Sequence, residues 1–388
     1  METRQQDLQE ITETGRTRLR KRGLKLGALA LLLVLIALFV WQFFASRRLY
    51  TQVRAEKSFP VSASANAVFA AFGNSFIRCS TDGVSCLSGE GREYWNESIH
   101  MNDPRLVIHE SYGAVYDPGE RTVLVFREKG VVGRYETAYP LIKLAISAQG
   151  VTAAALENGN SSLIQLYEAS GRRLDIEINL ELTLSGFPMA MALSPDGNGL
   201  VVSLANANAG HLSSQLVFYN FSVGKNESNR LVGFRQYDGL LLPHVSYLGA
   251  KRVIAVTDTG AEVISLEQVN KPAPLESISL EGTISAYAAG DGHVAILCLE
   301  QKSGQQMLYV YDANGRLCFS DAVSGNCLRL LLGEGHVTVV TDQGAELWKY
   351  NGTARFKGSV PGGGQSLFFK NGRLLRFDGT QLLQYRLQ

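Results

Sequence analysis

Eight short apolar runs recur along most of the chain, and no other feature narrows its fold as much. They begin VFAAF (Val68), LVIHE (Leu106), KLAIS (Lys143), AMALS (Ala190), HVSYL (His244), AYAAG (Ala286), CLRLLL (Cys327) and SLFF (Ser366), mostly near 40 residues apart. Each run leads to a second β-rich run, a turn, a third run and a polar close. The runs themselves, such as RVIAVT (Arg252–Thr257) and HVTVVT (His336–Thr341), are short and β-branched, which favours strands over helices. Asp82-Gly83, Asp258-Thr259-Gly260, Asp342-Gln343-Gly344 and Asp378-Gly379 punctuate them, residues that tolerate the left-handed backbone of tight hairpins. A four-stranded unit of this length cannot bury its faces without neighbours on both sides. The expected fold is therefore all-β, a β-propeller.

The blade count depends on how the ring closes. Residues 366–388 supply three strands at most, SLFF, GRLLRF and QLLQYRL, while 57–64 (KSFPVSAS) offers a fourth from the other end of the chain. Joining the two termini in one blade removes an exposed sheet edge. This gives about eight four-stranded blades, with seven as the alternative. The fourth unit carries two Ser/Asn-rich stretches, Asn206–Ser214 and Gly224–Asn229, expected as insertions on one rim.

Residues 26–45 (LGALALLLVLIALFVWQFFA) contain no charge, and about 20 apolar residues cross a hydrocarbon layer as a helix. A cleaved signal peptide would have a shorter apolar core ending in small residues. Seven cations precede the run, Arg4, Arg16, Arg18, Arg20, Lys21, Arg22 and Lys25, so the positive-inside rule keeps the N-terminus in the cytoplasm. The expected layout is a basic tail (1–25), a transmembrane helix in the lipid bilayer (26–45), a juxtamembrane linker (46–58) and an extracytoplasmic propeller (59–388). The expected address is the cell membrane, single-pass.

Residues 1–48 hold nine basic and four acidic residues, which leaves 28 against 32, a net −4, for residues 49–388. That balance gives no footprint for nucleic acid. Five cysteines are an odd number for an extracytoplasmic domain. A two-residue turn at Asp82-Gly83 would set Cys79 opposite Cys86, so a disulfide and a pair of buried thiols both remain open.

Several stretches resemble known propeller repeats. LSPDGNGLVV (Leu193–Val202) is similar to the strand-turn-strand element of WD40-type and TolB-type propellers, and TDGVSCLSGEGREYW (Thr81–Trp95) resembles the quinoprotein-type repeat, in which the Trp packs between blades. VYDANGRLCF (Val310–Phe319) and LWKYNGTARF (Leu347–Phe356) repeat the same close. The whole layout resembles an uncharacterised family of membrane-anchored propellers in Gram-positive bacteria of the Clostridia type. The resemblance implies a fold and an anchor; activity does not follow from fold.

The chemistry-bearing residues do not assemble into a motif. The chain has no adjacent cysteines, which quinoprotein dehydrogenases often carry, and no cofactor is expected. His100, His109, His211, His244, His293 and His336 lack zinc-motif spacing, and no G-x-S-x-G element is present. Asn102-Asp103-Pro104 and Asp117-Pro118-Gly119-Glu120 concentrate oxygen ligands but read as turns. The sequence thus favours a non-catalytic binding or scaffold module for an envelope protein or polymer, the alternative being an extracytoplasmic hydrolase or quinoprotein-like oxidoreductase with its site in the funnel. Around the fourth unit, Arg230, Arg235 and Tyr237 are the candidate partner-binding anchors, because interface affinity concentrates on Arg and aromatic side chains.

Overall fold

A computed structural model describes residues 32, 34–36, 47–61, 67–182, 185–208, 211–222, 230–362 and 366–388. The strands form eight four-stranded antiparallel sheets. Seven are continuous in sequence: blade 1 from Val68 to Ser98, blade 2 from Arg105 to Glu136, blade 3 from Leu141 to Glu181, blade 4 from Phe187 to Asp238, blade 5 from His244 to Ser279, blade 6 from Gly282 to Val323 and blade 7 from Cys327 to Gly358. Blade 8 takes three strands from the C-terminal end (Leu367–Lys370, Arg373–Phe377, Gln381–Leu387) and its outer strand, Val53–Pro60, from the N-terminal side. The count is eight, and both ends of the propeller unit, Tyr50–Gln388, meet in one blade.

The closing strand starts earlier than the sequence suggested. Pairing runs from Val53↔Leu387 to Pro60↔Gln381, so residues 53–58, expected as linker, are strand, and 57–64 is only partly so. The cause is physical. An outer strand has one sheet neighbour and faces water, so VRAEKSFP is exposed along most of its length and shows little apolar alternation.

Eight hydrophobic clusters correspond to the eight junctions between blades. Ala145, Ile164 and Val202 belong to the junction of blades 3 and 4, and Ile254, Val263 and Ile296 to that of blades 5 and 6. The core therefore lies between sheets, each blade depending on two neighbours. The junction that closes the ring is aromatic. Phe69 of blade 1 stacks on Phe377 of blade 8 with ring centroids 4.0 Å apart, and Phe76 meets Phe377 edge-on at 5.4 Å. Trp95 packs between blades 1 and 2, its Nε1 donating to the Glu128 carbonyl at 3.0 Å, as the quinoprotein-type resemblance implied.

Of the four recurrent turn glycines, Gly379, at φ 96° with open space beside it, has the expected cause, and the other three have another. At Gly83, Gly260 and Gly344 a Cβ would stand 2.1–2.3 Å from a carbonyl oxygen of the outer strand, that of Glu97, Ile278 or Gly358. Backbone approach, more than turn conformation, excludes a side chain there.

Because the innermost strands of all blades run in one direction, the ring has two distinct faces. The innermost strands end on the face that also receives the chain, called here the mouth face. There Tyr50 pairs in parallel with Phe356 of blade 7, its N–H donating to the Arg355 carbonyl at 3.0 Å.

Residues 26–45, expected as a transmembrane helix, lie outside the described residues except for Leu32, Val34, Leu35 and Ile36, which are helical and exposed. Among the described residues no helix is long and apolar enough to cross a membrane.

Candidate functional site

Arg235 and Tyr237 alternate along the outer strand of blade 4 (Leu231–Asp238), which puts them on one face. Both reach Glu262 of blade 5. Arg235 Nε donates to Oε2 at 3.0 Å and Nη2 to Oε1 at 2.7 Å, while the Tyr237 hydroxyl donates to Oε2. Burial first, then this hydrogen bond, pushes the Tyr237 hydroxyl well above its ordinary range. The trio clamps two blades in a bidentate, charge-assisted pair. Arg230 stands apart on the mouth face at φ 54°, while Phe218 is buried between blades 4 and 5 and Phe234 is 60% exposed.

The two stretches expected as one-rim insertions are described only in part. Asn206–Ser214 spans the hairpin between the second and third strands, on the face opposite the mouth. Gly224–Asn229 lies outside the described residues.

The funnel, which the sequence raised only as an enzyme's site, opens at the mouth. Where the innermost strands of blades 1, 2, 6, 7 and 8 end, a cavity of about 480 Å³ opens. Its floor is apolar (Ala70, Ala71, Ile108, Leu331, Phe368), and its wall carries both signs of charge: Arg329 and Lys370 against Glu110, Asp291 and Glu334. The cations are anchored. Lys370 is 5% exposed, donates to the Gly73 carbonyl and lies 5.2 Å from the Phe76 ring centroid. Arg329 donates to the Phe69 carbonyl at 2.8 Å and lies over Phe368. Burial lowers the pKa of both.

The carboxylates sit at hairpin corners with left-handed backbone, φ being 51° at Glu110, 50° at Asp291 and 52° at Glu334. Asn or Gly is the usual occupant of such a corner. In blades 6 and 7 the hairpin is written Gly290-Asp291-Gly292-His293-Val294 and Gly333-Glu334-Gly335-His336-Val337. This repeated pattern, 43 residues apart, was the available signal. His293 stacks on Tyr350 at 4.0 Å, and Tyr350 donates to Asp291 at 3.1 Å.

A second cavity of about 590 Å³ shares Phe72, Gly73 and Glu110 with the first and continues outward past Arg127, Glu128 and Lys129. Together they make a groove from the channel to the rim between blades 1 and 2. Its chemistry is that of binding, with apolar floor and anchored charges; among the described residues no group of three or more His, Cys, Asp or Glu side chains is placed to hold a metal ion.

The cysteines of the described residues are free thiols. The hairpin register pairs Cys79 with Val84 and Cys86 with Ile77, because the turn residues are Thr81 and Asp82 rather than Asp82 and Gly83. Burial pushes the Cys79 thiol up to about 12 and the Cys86 thiol up to about 11, so both are unreactive core residues.

Residues 46–377 match the family of unknown function DUF5711. The chain belongs to this family. No curated protein matches it. Among solved structures, this DUF5711 chain is similar to BamB from Moraxella catarrhalis, at 11% identity and TM-score 0.52 over 87% of this chain and 98% of that one. It is also similar to apo AztD from Citrobacter koseri, at 10% identity and TM-score 0.51 over 77% and 87%, and to a functionally unknown protein from Desulfotomaculum acetoxidans, at 11% identity and TM-score 0.50 over 75% and 96%. At these identities the likeness establishes the propeller fold of this DUF5711 member.

Proposed function

We propose that this protein is a non-catalytic binding module, held at the outer side of a cell membrane by residues 26–45, whose mouth-face groove takes an extended segment of an envelope protein. The supporting observation is the continuity of the two cavities, which gives a path with apolar floor and both charge signs along its walls. Such a path suits a peptide of mixed charge, with the rim charges setting register and on-rate. Arg230 remains a partner-facing candidate on the same face, whereas the role of Arg235 and Tyr237 in this reading is to hold blades 4 and 5 in place. The anchor and the outward orientation rest on the sequence and on the layout of membrane-anchored propellers in Clostridia-type Gram-positive bacteria.

Topology is tested on wall-stripped cells. Added protease is expected to digest the propeller and leave a small membrane-embedded N-terminal fragment. Full protection of the chain would contradict the orientation, and release of an intact chain by a carbonate wash would contradict the anchor.

A further inference from the structure

Before it closes blade 8, the chain crosses onto blade 7, and between these blades the mouth face holds a further groove of about 330 Å³, which meets the mouth cavity at Glu334 and Phe369. Lys349, Arg355 and Arg386 bring cations to it, Tyr50 and Phe369 bring aromatic rings, and Glu334 brings a carboxylate. The groove thus carries a net charge of +2, three cations less one anion, in a domain whose formal charge from residue 49 onward is negative. Its charges are also unevenly committed. The Glu334 carboxylate accepts the Asn371 N–H at 2.7 Å, and Arg386, 72% exposed, lies 3.9 Å from Glu56. Arg355 is held over the Tyr50 ring at 5.5 Å. Lys349, which ends the third strand of blade 7, makes no ion pair among the described residues. Burial lowers the pKa of His336 beside them, and Lys349 and Arg355 both press it further down, so the two cations act on one point.

The place of this groove along the chain identifies what it meets. Tyr50 lines it, and four residues separate Tyr50 from Ala45, the last residue of the apolar run. Four extended residues span at most about 14 Å, so a bilayer holding that run lies within reach. Cations near an anionic leaflet gain about 1 kcal/mol each, and Arg and Lys both bind phosphate. We propose that this groove takes the phosphate of an anionic phospholipid headgroup from the membrane that anchors the chain, an inference that rests on the anchoring by residues 26–45.

The test uses the full chain in nanodiscs of phosphatidylcholine alone or with phosphatidylglycerol, reading the acylation rate of the Lys349 amine and hydrogen exchange of strand Ala354–Gly358. Phosphatidylglycerol is expected to slow Lys349 acylation at least about fivefold and to slow exchange in that strand. Lys349→Glu should remove the exchange effect, while Lys302→Glu on the opposite face leaves it. Equal rates in both disc types would overturn the proposal while leaving the anchor intact. Equal slowing by inorganic phosphate in phosphatidylcholine discs would assign the groove to a soluble anion and overturn it too. A chain that associates with neither disc type would overturn the anchoring reading and this inference together.

Discussion

Removal of the last eight residues, Gln381–Gln388, is expected to abolish the cooperative unfolding transition of the propeller. That strand carries the backbone pairing of both Arg373–Phe377 and the N-terminal strand Val53–Pro60. Deleting it exposes two sheet edges at once, and unpaired edges aggregate. It also removes Leu382 and Tyr385, both buried, from the junctions of blade 8 with blades 1 and 7. Each such side chain contributes about 2 kcal/mol by burial, and the aromatic stack of Phe69 on Phe377 loses its support. The total is comparable to the whole stability of a typical domain, about 5–15 kcal/mol. Circular dichroism during urea titration, with light scattering, reads the outcome; a truncated protein as soluble and as cooperative as the parent would show that the termini do not close the ring.

Acid is expected to weaken the ring through His244. This residue starts the innermost strand of blade 5 and packs against Tyr287 of blade 6 with centroids 4.8 Å apart. Its Nε2 is buried without a hydrogen-bond partner among the described residues, and burial pushes its pKa down to about 4. A histidine depressed in the folded state binds its proton more tightly when unfolded. Stability is therefore complete above about pH 6.5 and falls as pH drops from there toward 4. Between pH 7 and pH 5 the loss from this one group is about 2 kcal/mol. Burial also depresses His109 and His336, and these act in the same direction. Urea titrations at the two pH values should show a smaller difference for His244→Leu than for the parent; an unchanged difference would mean that His244 is solvated.

The fold was legible where burial is two-sided. Second and third strands pack on neighbours over both faces, so runs such as Val123–Phe126 and Val253–Val256 are fully buried and read as continuous apolar stretches. The outer strand Val53–Pro60 carries the misreading, since it faces solvent on one side and its composition does not announce a strand. The Cys79–Cys86 register slipped for another reason: Gly83 begins a strand because the Glu97 carbonyl crowds it, and a turn-based reading assigns it to the loop. The candidate site was less legible. Glu110, Asp291 and Glu334 are far apart in sequence and join only through ring closure, and the clamp of Arg235 and Tyr237 on Glu262 depends on which blades adjoin. The repeated G-[DE]-G-H-V hairpin was visible, although nothing in one copy distinguishes a functional corner from a turn.

Binding of a protein segment in the mouth-face groove is read directly by photocrosslinking. A photoactivatable residue at exposed Ser111, which lines the groove, is compared in native membranes with one at exposed Thr259 on the opposite face. Ser111 is expected to give a discrete protein adduct, and Thr259 none. Replacing Glu110, Asp291 and Glu334 with Ala should reduce that adduct at least about tenfold, since each lost charge contact at a binding surface costs up to about 1 kcal/mol, while leaving the unfolding transition cooperative. No adduct from Ser111, or an adduct unaffected by the triple substitution, would contradict the claim.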